Sequence, residues 1–289
     1  MLVHIKDIIK KADQQCYAIG AFNTQNLELT LAIARAAVAQ KAPAIIQISE
    51  KTIHYAGLKT ITQIIKTVVE NNTGRTPIAL HLDHGKSFDI VSECIQAGFS
   101  SIHIDGSELS YEDNITLTKK SISYAHKHNV WAQGELGIIL GKEGLLKLKQ
   151  KLLKPQDYMT DPAKAKEFVK VTGVNTFAPS IGNMHGMFVG EEKLDIKRLV
   201  EIKKQVDLPL VLHGGSGIAG RDIKKAIKAG VRVVNVDTEL RVAFTTAVCN
   251  FVYKNKNVVD PRELMVPTMK AVQKIVEQKI KLFGSANKA

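Results

Sequence analysis

Three of the nine histidines stand where a metal ion could do chemistry. His84 and His213 stand at or just past the ends of short apolar runs, and His185 follows another by a few residues. Three protein ligands from separate segments, leaving a fourth position open, is how catalytic zinc is held. Elsewhere the plainer reading is preferred. His4, His54, His126 and His128 fall on predicted helices or early loops and are expected to be solvated. His81 and His103 lie inside predicted strands, where a hydrogen-bonded core histidine is expected. The spacing His81-x-x-His84 does not match the HxH pair of barrel metallohydrolases.

Other polar groups stand at similar places. Asn23, Ser49, Asp83, Asp105, Glu135, Asn235 and Asp237 lie at or just past the ends of apolar runs, able to bind a metal, move a proton or hold an anion. The turn HGGSG (213–217) precedes a helical run, and NVDT (235–238) ends the last strand candidate just before another. Backbone N–H groups at such helix starts, with the Ser216 and Thr238 hydroxyls, form an anion site. A tight turn with an N-cap is the plainer alternative.

The elements that must position these groups alternate. Eight short, often β-branched runs read as strands: 17–22, 44–48, 78–82, 101–104, 131–136, 175–180, 210–213 and 233–236. Helical periodicity lies between them at 27–40, 58–71, 112–128, 162–172, 195–205 and 221–229. Ile61, Ile64, Ile65, Val68 and Val69 mark one helical face. Asp161-Pro162 supplies a cap and a first-turn proline, while Gly98, Gly173 and Gly230 follow helical runs. Eight β/α units in one chain predict a (β/α)8 TIM barrel, a single domain over 1–289, with an extra C-terminal helix in 262–289. No GxGxxG follows the first strand, which removes the main reason to prefer a doubly wound sheet. In such a barrel, catalytic groups sit at the C-terminal ends of the strands, where the polar residues above fall. The irregular stretch 138–160, with Gly141 and Gly144, is the candidate lid.

Composition narrows the function classes. Of 289 residues, 45% are hydrophobic and 24% charged, which is ordinary for a folded globular chain. The net charge of +12 suits anionic small molecules. Its lysines are spread along helices, and the densest stretch (147–154) has no aromatic ladder for stacking bases, so no nucleic-acid role is expected. Cys16, Cys94 and Cys249 form no CxxC pair, and no apolar run is long enough to span a membrane. The N-terminus reads as an amphipathic helix, not a targeting peptide, and a reduced cytoplasmic setting is expected.

At these residues the sequence resembles the class II, zinc-dependent fructose-bisphosphate aldolases, a family that also holds tagatose-bisphosphate aldolases. The resemblance rests on YAIGAFN (17–23), ALHLDHG (79–85), FSSIHIDGSELSYEDNI (99–115), GELG (134–137) and YMTDPAKAKEFVKVTGV (158–174). It continues through IGNMHG (181–186), LPLVLHGGSGI (208–218), VNVDTELRVAF (234–244) and KIKLFGSANKA (279–289). It implies zinc on His84, His185 and His213, proton transfer by Asp83, and a second or alternative metal position at Asp105 and Glu135. It further implies a dihydroxyacetone phosphate site at Gly186, Gly214, Ser216, Asn235 and Thr238, with Asn23 among the substrate contacts. Ser49, Asp237 and Arg241 would meet the other end of the sugar, and Arg262 the distal phosphate of a neighbouring subunit in a homodimer or homotetramer. The implied reaction is reversible cleavage of fructose 1,6-bisphosphate, a step of glycolysis. Asp237 and Arg241 in NVDTELR favour that sugar over tagatose 1,6-bisphosphate or a deoxy-phosphogluconate from inositol breakdown. An inactive aldolase scaffold used for binding is the reading from another class.

The chain departs from the family pattern in three places. Gln133 stands where the family's VEAELG-like run has its first glutamate, although Glu135 remains. The GGxED loop reads LGKEG (140–144), keeping Glu143, and Val189 replaces a common lysine.

Overall fold

In the computed structural model, which describes residues 1–141, 154–186 and 193–289, eight parallel strands close a barrel in sequence order. They are β1 (Ile19–Asn23), β2 (Ala44–Ser49), β3 (Ile78–Gly85), β4 (Ser101–Ile104), β5 (Trp131–Leu136), β6 (Thr176–Pro179), β7 (Leu210–Leu212) and β8 (Val231–Val236). Strand β8 pairs back onto β1, with Ile19 opposite Val233 and Ala21 opposite Asn235. The predicted barrel is therefore the observed one. β3 runs longer than its apolar stretch, carrying Asp83 and His84 inside the strand.

The helices are α1 (Ile5–Gln14), α2 (Leu27–Ala39), α3 (Glu50–Ala56), α4 (Leu58–Asn72), α5 (Phe88–Gln96) and α6 (Tyr111–Lys127). They continue with α7 (Pro155–Tyr158), α8 (Pro162–Thr172), α9 (Ile196–Gln205), α10 (Gly220–Lys228), α11 (Thr238–Lys254) and α12 (Pro261–Phe283). The caps read from sequence are in place. Asp161 accepts from the Ala163 and Lys164 amides, Pro162 opens α8, and Gly173 ends it with φ +73°. On α4 the predicted face is buried at Ile61, Ile65, Val68 and Val69, while Ile64 lies at its edge. The extra helix α12 packs against α2 and α11.

Alternation along the strands separates two cores. Residues facing outward join the helices in one apolar shell that includes Phe22, Ile46, Leu80, Leu82, Phe168 and Phe177. Residues facing inward at the lower end are Ile19, Ala21, Ile45, Ala79, Ala178, Val211 and Val233. Ile5, Ile8, Ile9 and Ala12 of α1 pack with them, so the amphipathic N-terminal helix is the floor of the barrel. Each buried isoleucine there stabilises the fold by roughly 1.5–3 kcal/mol. Two residues further up each strand the interior turns polar, with Gln47, His81, His103, Gln133 and Asn235 all buried. That polar layer underlies the mouth.

Of the lid candidate, residues 142–153 lie outside those described, and Glu143 and Gly144 with them; Val189 does too. The described part is tied down. Leu140 bridges Met184 in parallel, and its carbonyl accepts from the His185 amide at 2.8 Å.

Candidate metal and anion site

Asp83 and His84 are neighbours in one strand, and a regular strand would send them to opposite faces. His84 avoids this with a left-handed backbone, φ +51°, at a register shift between β3 and β4. Both side chains then face the mouth. A non-glycine residue held in this region costs about 1–3 kcal/mol and marks a constraint imposed by the surroundings.

The His84 ring is the hub. Its Nδ1 lies 2.6 Å from Asp105 Oδ2, and its Nε2 lies 2.9 Å from His213 Nδ1 and 3.8 Å from Asp83 Oδ1. Ring centroids are 4.6 Å apart for His84 and His213, 4.9 Å for His84 and His185, and 6.0 Å for His185 and His213. The three histidines picked from sequence are thus brought together from β3, the loop after β6, and the end of β7. A fourth joins them. His103 is fully buried, and its ring lies 4.7 Å from that of His84 and 4.9 Å from that of His213.

His103 was expected to be a satisfied core histidine, and only half of it is. Its Nδ1 accepts from the His84 amide at 3.3 Å, but its Nε2 has no hydrogen-bond partner. It faces Glu135 Oε2 at 3.7 Å, which is equally unpartnered. His81 does satisfy the expectation at one nitrogen, with Nδ1 2.9 Å from Ser101 Oγ. Two sets of potential ligand atoms are compact: Asp83, His84, His103 and His213, and His84, His103, Asp105 and Glu135. Nitrogen and carboxylate donors with two buried, unpartnered atoms fit a divalent cation of the zinc kind. His185 belongs to neither compact set and contributes through its ring contact with His84.

The charges are strongly coupled. Burial disfavours a proton on His84, yet Asp83, Asp105 and Glu135 together push its pKa up to about 10 in the metal-free protein. Burial drives His81 and His185 down to about 3, with the His84 charge adding to it, and drives His103 and His213 well below the usual range. Burial also raises Glu135 well above an ordinary carboxyl, reinforced by Asp105. Asp105 is held the other way: burial opposes its charge, but its hydrogen bond and attraction to His84 win. Lys86 adds to that grip, with Nζ 2.7 Å from Asp105 Oδ2.

Asp83 is held from two sides. Asn23 Nδ2 donates to its Oδ2 at 2.8 Å, and Asn235 Nδ2 to its Oδ1 at 3.2 Å. Behind Asn23, Gln47 Nε2 donates to Asn23 Oδ1 at 2.7 Å. Asn23 and Asn235, expected among the substrate contacts, thus serve first to orient the carboxylate.

On one side of the cluster a cavity is lined by Gly186, Gly214, Ser216, Asp237 and Thr238 together with the Asn23, Asp83 and histidine groups. Gly214 has φ +67°, and a Cβ there would sit 2.0 Å from the Met184 carbonyl oxygen, so only glycine fits. Part of the expected N–H cradle is already used. The Gly215 amide donates to Asn235 O at 2.9 Å and the Gly217 amide to Glu239 Oε1 at 2.7 Å. A second cavity, sharing Asp237 with the first, is lined by Gln25, Ser49, Lys51, Tyr55, Asp237 and Arg241, where Arg241 Nη1 donates to Asp237 Oδ2 at 3.2 Å. Arg262 is not gathered with these groups. It opens α12 with its side chain 89% exposed, its guanidinium on Asp260 at 2.8 Å.

Sequence reading gave no site role to Lys86, Gln47 or Lys51, placed His103 in the core, and noted Gln133 only as a departure from the family pattern. The period of two could have found three of them: Gln47 precedes Ser49, His103 precedes Asp105 and Gln133 precedes Glu135, each pair sharing the barrel interior.

Comparison with known proteins covers the whole chain. The family model for class II fructose-bisphosphate aldolase matches residues 3–288. A fructose-bisphosphate aldolase of Staphylococcus aureus is 39% identical over 289 residues, covering 100% of this chain and 99% of the relative. One of Geobacillus stearothermophilus is also 39% identical, with the same coverage. Among solved structures, the YdjI aldolase of Escherichia coli K12 superposes with a TM-score of 0.86 at 32% identity, covering 100% of both chains. The fructose-bisphosphate aldolase of Campylobacter jejuni matches in fold, with a TM-score of 0.81 at 22% identity over 100% of this chain and 97% of that one.

Proposed function

The chain belongs to the class II fructose-bisphosphate aldolase family, and on that premise we propose that it reversibly cleaves fructose 1,6-bisphosphate to dihydroxyacetone phosphate and glyceraldehyde 3-phosphate. The observation that carries this reading is Asp83, fixed by Asn23 and Asn235 beside the histidine cluster, at the wall of the cavity that also holds Gly186, Gly214, Ser216 and Thr238.

His84, His185 and His213 would hold a zinc ion, and His103, Asp105 and Glu135 offer a second divalent position sharing His84. Zinc supplies a Lewis acid for the carbanion left next to a carbonyl when the C3–C4 bond breaks. Asp83 takes the C4 hydroxyl proton during cleavage and returns it in condensation. Gly186, Gly214, Ser216 and Thr238 hold one phosphate, whose binding energy orients the reacting carbons. Ser49, Asp237 and Arg241 meet the far end of the sugar. A Schiff-base lysine is not required, and Lys86, the cation beside the cluster, is paired with Asp105. The three free cysteines agree with a reduced, cytoplasmic setting, and no helix among the described residues is long and apolar enough to cross a membrane.

We also propose that the protein works as a homo-oligomer. Leu240 is the sole buried side chain of α11, a helix of 17 residues, whereas Val242, Val252 and Tyr253 are exposed, Tyr253 at 81%. Such an apolar face on a long helix suits a second copy of the same chain.

The test is release of triose phosphate from fructose 1,6-bisphosphate, with a chelator and then with zinc restored. Chelator-sensitive release rescued by zinc supports the reading. Release from tagatose 1,6-bisphosphate or a deoxy-phosphogluconate alone would replace the substrate, and no release from any would favour a binding scaffold. Asp237→Ala should shift the fructose-to-tagatose preference, and an unchanged preference would remove Asp237 from sugar selection.

A further inference from the structure

Gln133 on β5 and His213 at the end of β7 are both buried inside the barrel, with Gln133 Nε2 and His213 Nε2 2.7 Å apart. The other ring nitrogen, Nδ1, faces the cluster, 2.9 Å from His84 Nε2. A neutral imidazole carries one N–H and one lone pair. A ring that offers Nδ1 to a cation must therefore carry its proton on Nε2, and that buried N–H needs an acceptor. Asn235 Nδ2, 3.5 Å from it, is itself a donor directed at Asp83 Oδ1. The Gln133 amide is the remaining polar group against this nitrogen.

Its amide can meet the ring in two ways. With its nitrogen toward His213, it donates to the Nε2 lone pair, which leaves the neutral ring's proton on Nδ1, the side that faces the cluster. A half-turn of the amide brings its oxygen to the same place, where it accepts from Nε2–H and leaves Nδ1 free for a cation. A carboxylate could only accept, and an aliphatic side chain could do neither.

We propose that Gln133 is a positioning residue for the metal, setting whether the His213 Nδ1 that faces the cluster is protonated or free to bind a cation, and that its two-ended amide holds that cation less tightly than a carboxylate would. This rests on the zinc-dependent reading above. Partners behind a ligand ring change metal affinity by about 10–100-fold. The test is zinc affinity of the full-length protein by competition with a chromophoric chelator, together with the visible absorption of the cobalt-substituted protein. Gln133→Glu, nearly the same shape, should bind zinc about 10–100-fold more tightly. Gln133→Leu should bind it weaker by a similar factor and shift the cobalt bands. Because the leucine variant could fail to fold, Gln133→Glu decides. If it binds zinc no tighter than the parent protein, the role of Gln133 is overturned while the zinc reading stands. If the parent protein binds no zinc, the zinc reading itself falls.

Discussion

Asp83 and His84 are consecutive residues whose side chains both face the barrel mouth, Oδ1 and Nε2 3.8 Å apart, because the backbone at His84 turns left-handed. The carboxylate proposed to move a proton and the imidazole at the centre of the cluster are thus fixed relative to one another by a single peptide unit. Each is then locked independently, Asp83 by two asparagine amides and His84 by Asp105.

Asp83→Asn keeps the shape of the side chain but removes its capacity to take a proton. The turnover number should fall by about 10²–10⁴-fold, while bound zinc stays near that of the parent protein. Steady-state kinetics with metal analysis checks this, and an active Asn variant would move proton transfer to another group.

Zinc loading should release a proton. In the metal-free protein His84 holds its proton up to about pH 10, so at pH 7.5 a cation binding there must displace it. Apparent zinc affinity should therefore rise with pH until about 10. Calorimetric titrations in buffers of different ionisation enthalpy should give about one proton per metal, and none would mean that His84 is neutral before binding.

Acid should destabilise the metal-free protein early. His81, His103, His185 and His213 have lowered folded pKa values, so below about 6.5 the unfolded chain takes up protons that the fold refuses. Their contribution is complete above that value and is lost as pH falls below it, for His81 and His185 down toward about 3. Glu135, raised in the fold, opposes this, but the four imidazoles outweigh it. His84 acts at the other end: its raised pKa contributes stability below about 6.5 that disappears as pH rises toward 10. Thermal unfolding followed from pH 8 to pH 5 should show a falling Tm below about 6.5, and a flat profile would contradict it.

Val252→Asp on α11 should weaken self-association. The side chain is exposed in the single chain and would be buried against a second copy, where an unpaired charge is costly. Light scattering coupled to gel filtration should show a smaller assembly than for the parent protein. A monomeric parent protein would dismiss the apolar face as an interface between copies.

Much of this architecture is written locally in the chain. The strands are short β-branched runs bounded by turn residues, and His84, His185 and His213 follow three of them, so barrel closure, with the left-handed backbone at His84, brings them together. What lies deeper was harder to read. His103 sits one layer below the mouth in the run SIHI, where its neighbours are those of any core strand; only the ring of His84 above it and Glu135 beside it give it a role. Lys86 gave no signal because its partner Asp105 comes from the next strand. That Asn23 and Asn235 turn toward Asp83 depends on register across β1, β3 and β8, which no local pattern encodes.

The isoleucine floor formed by α1 has a kinetic consequence. Ile5, Ile8 and Ile9 seal the lower end, so among the described residues whatever reaches Asp83 comes and goes at the mouth, and exchange there is governed by that end of the barrel alone.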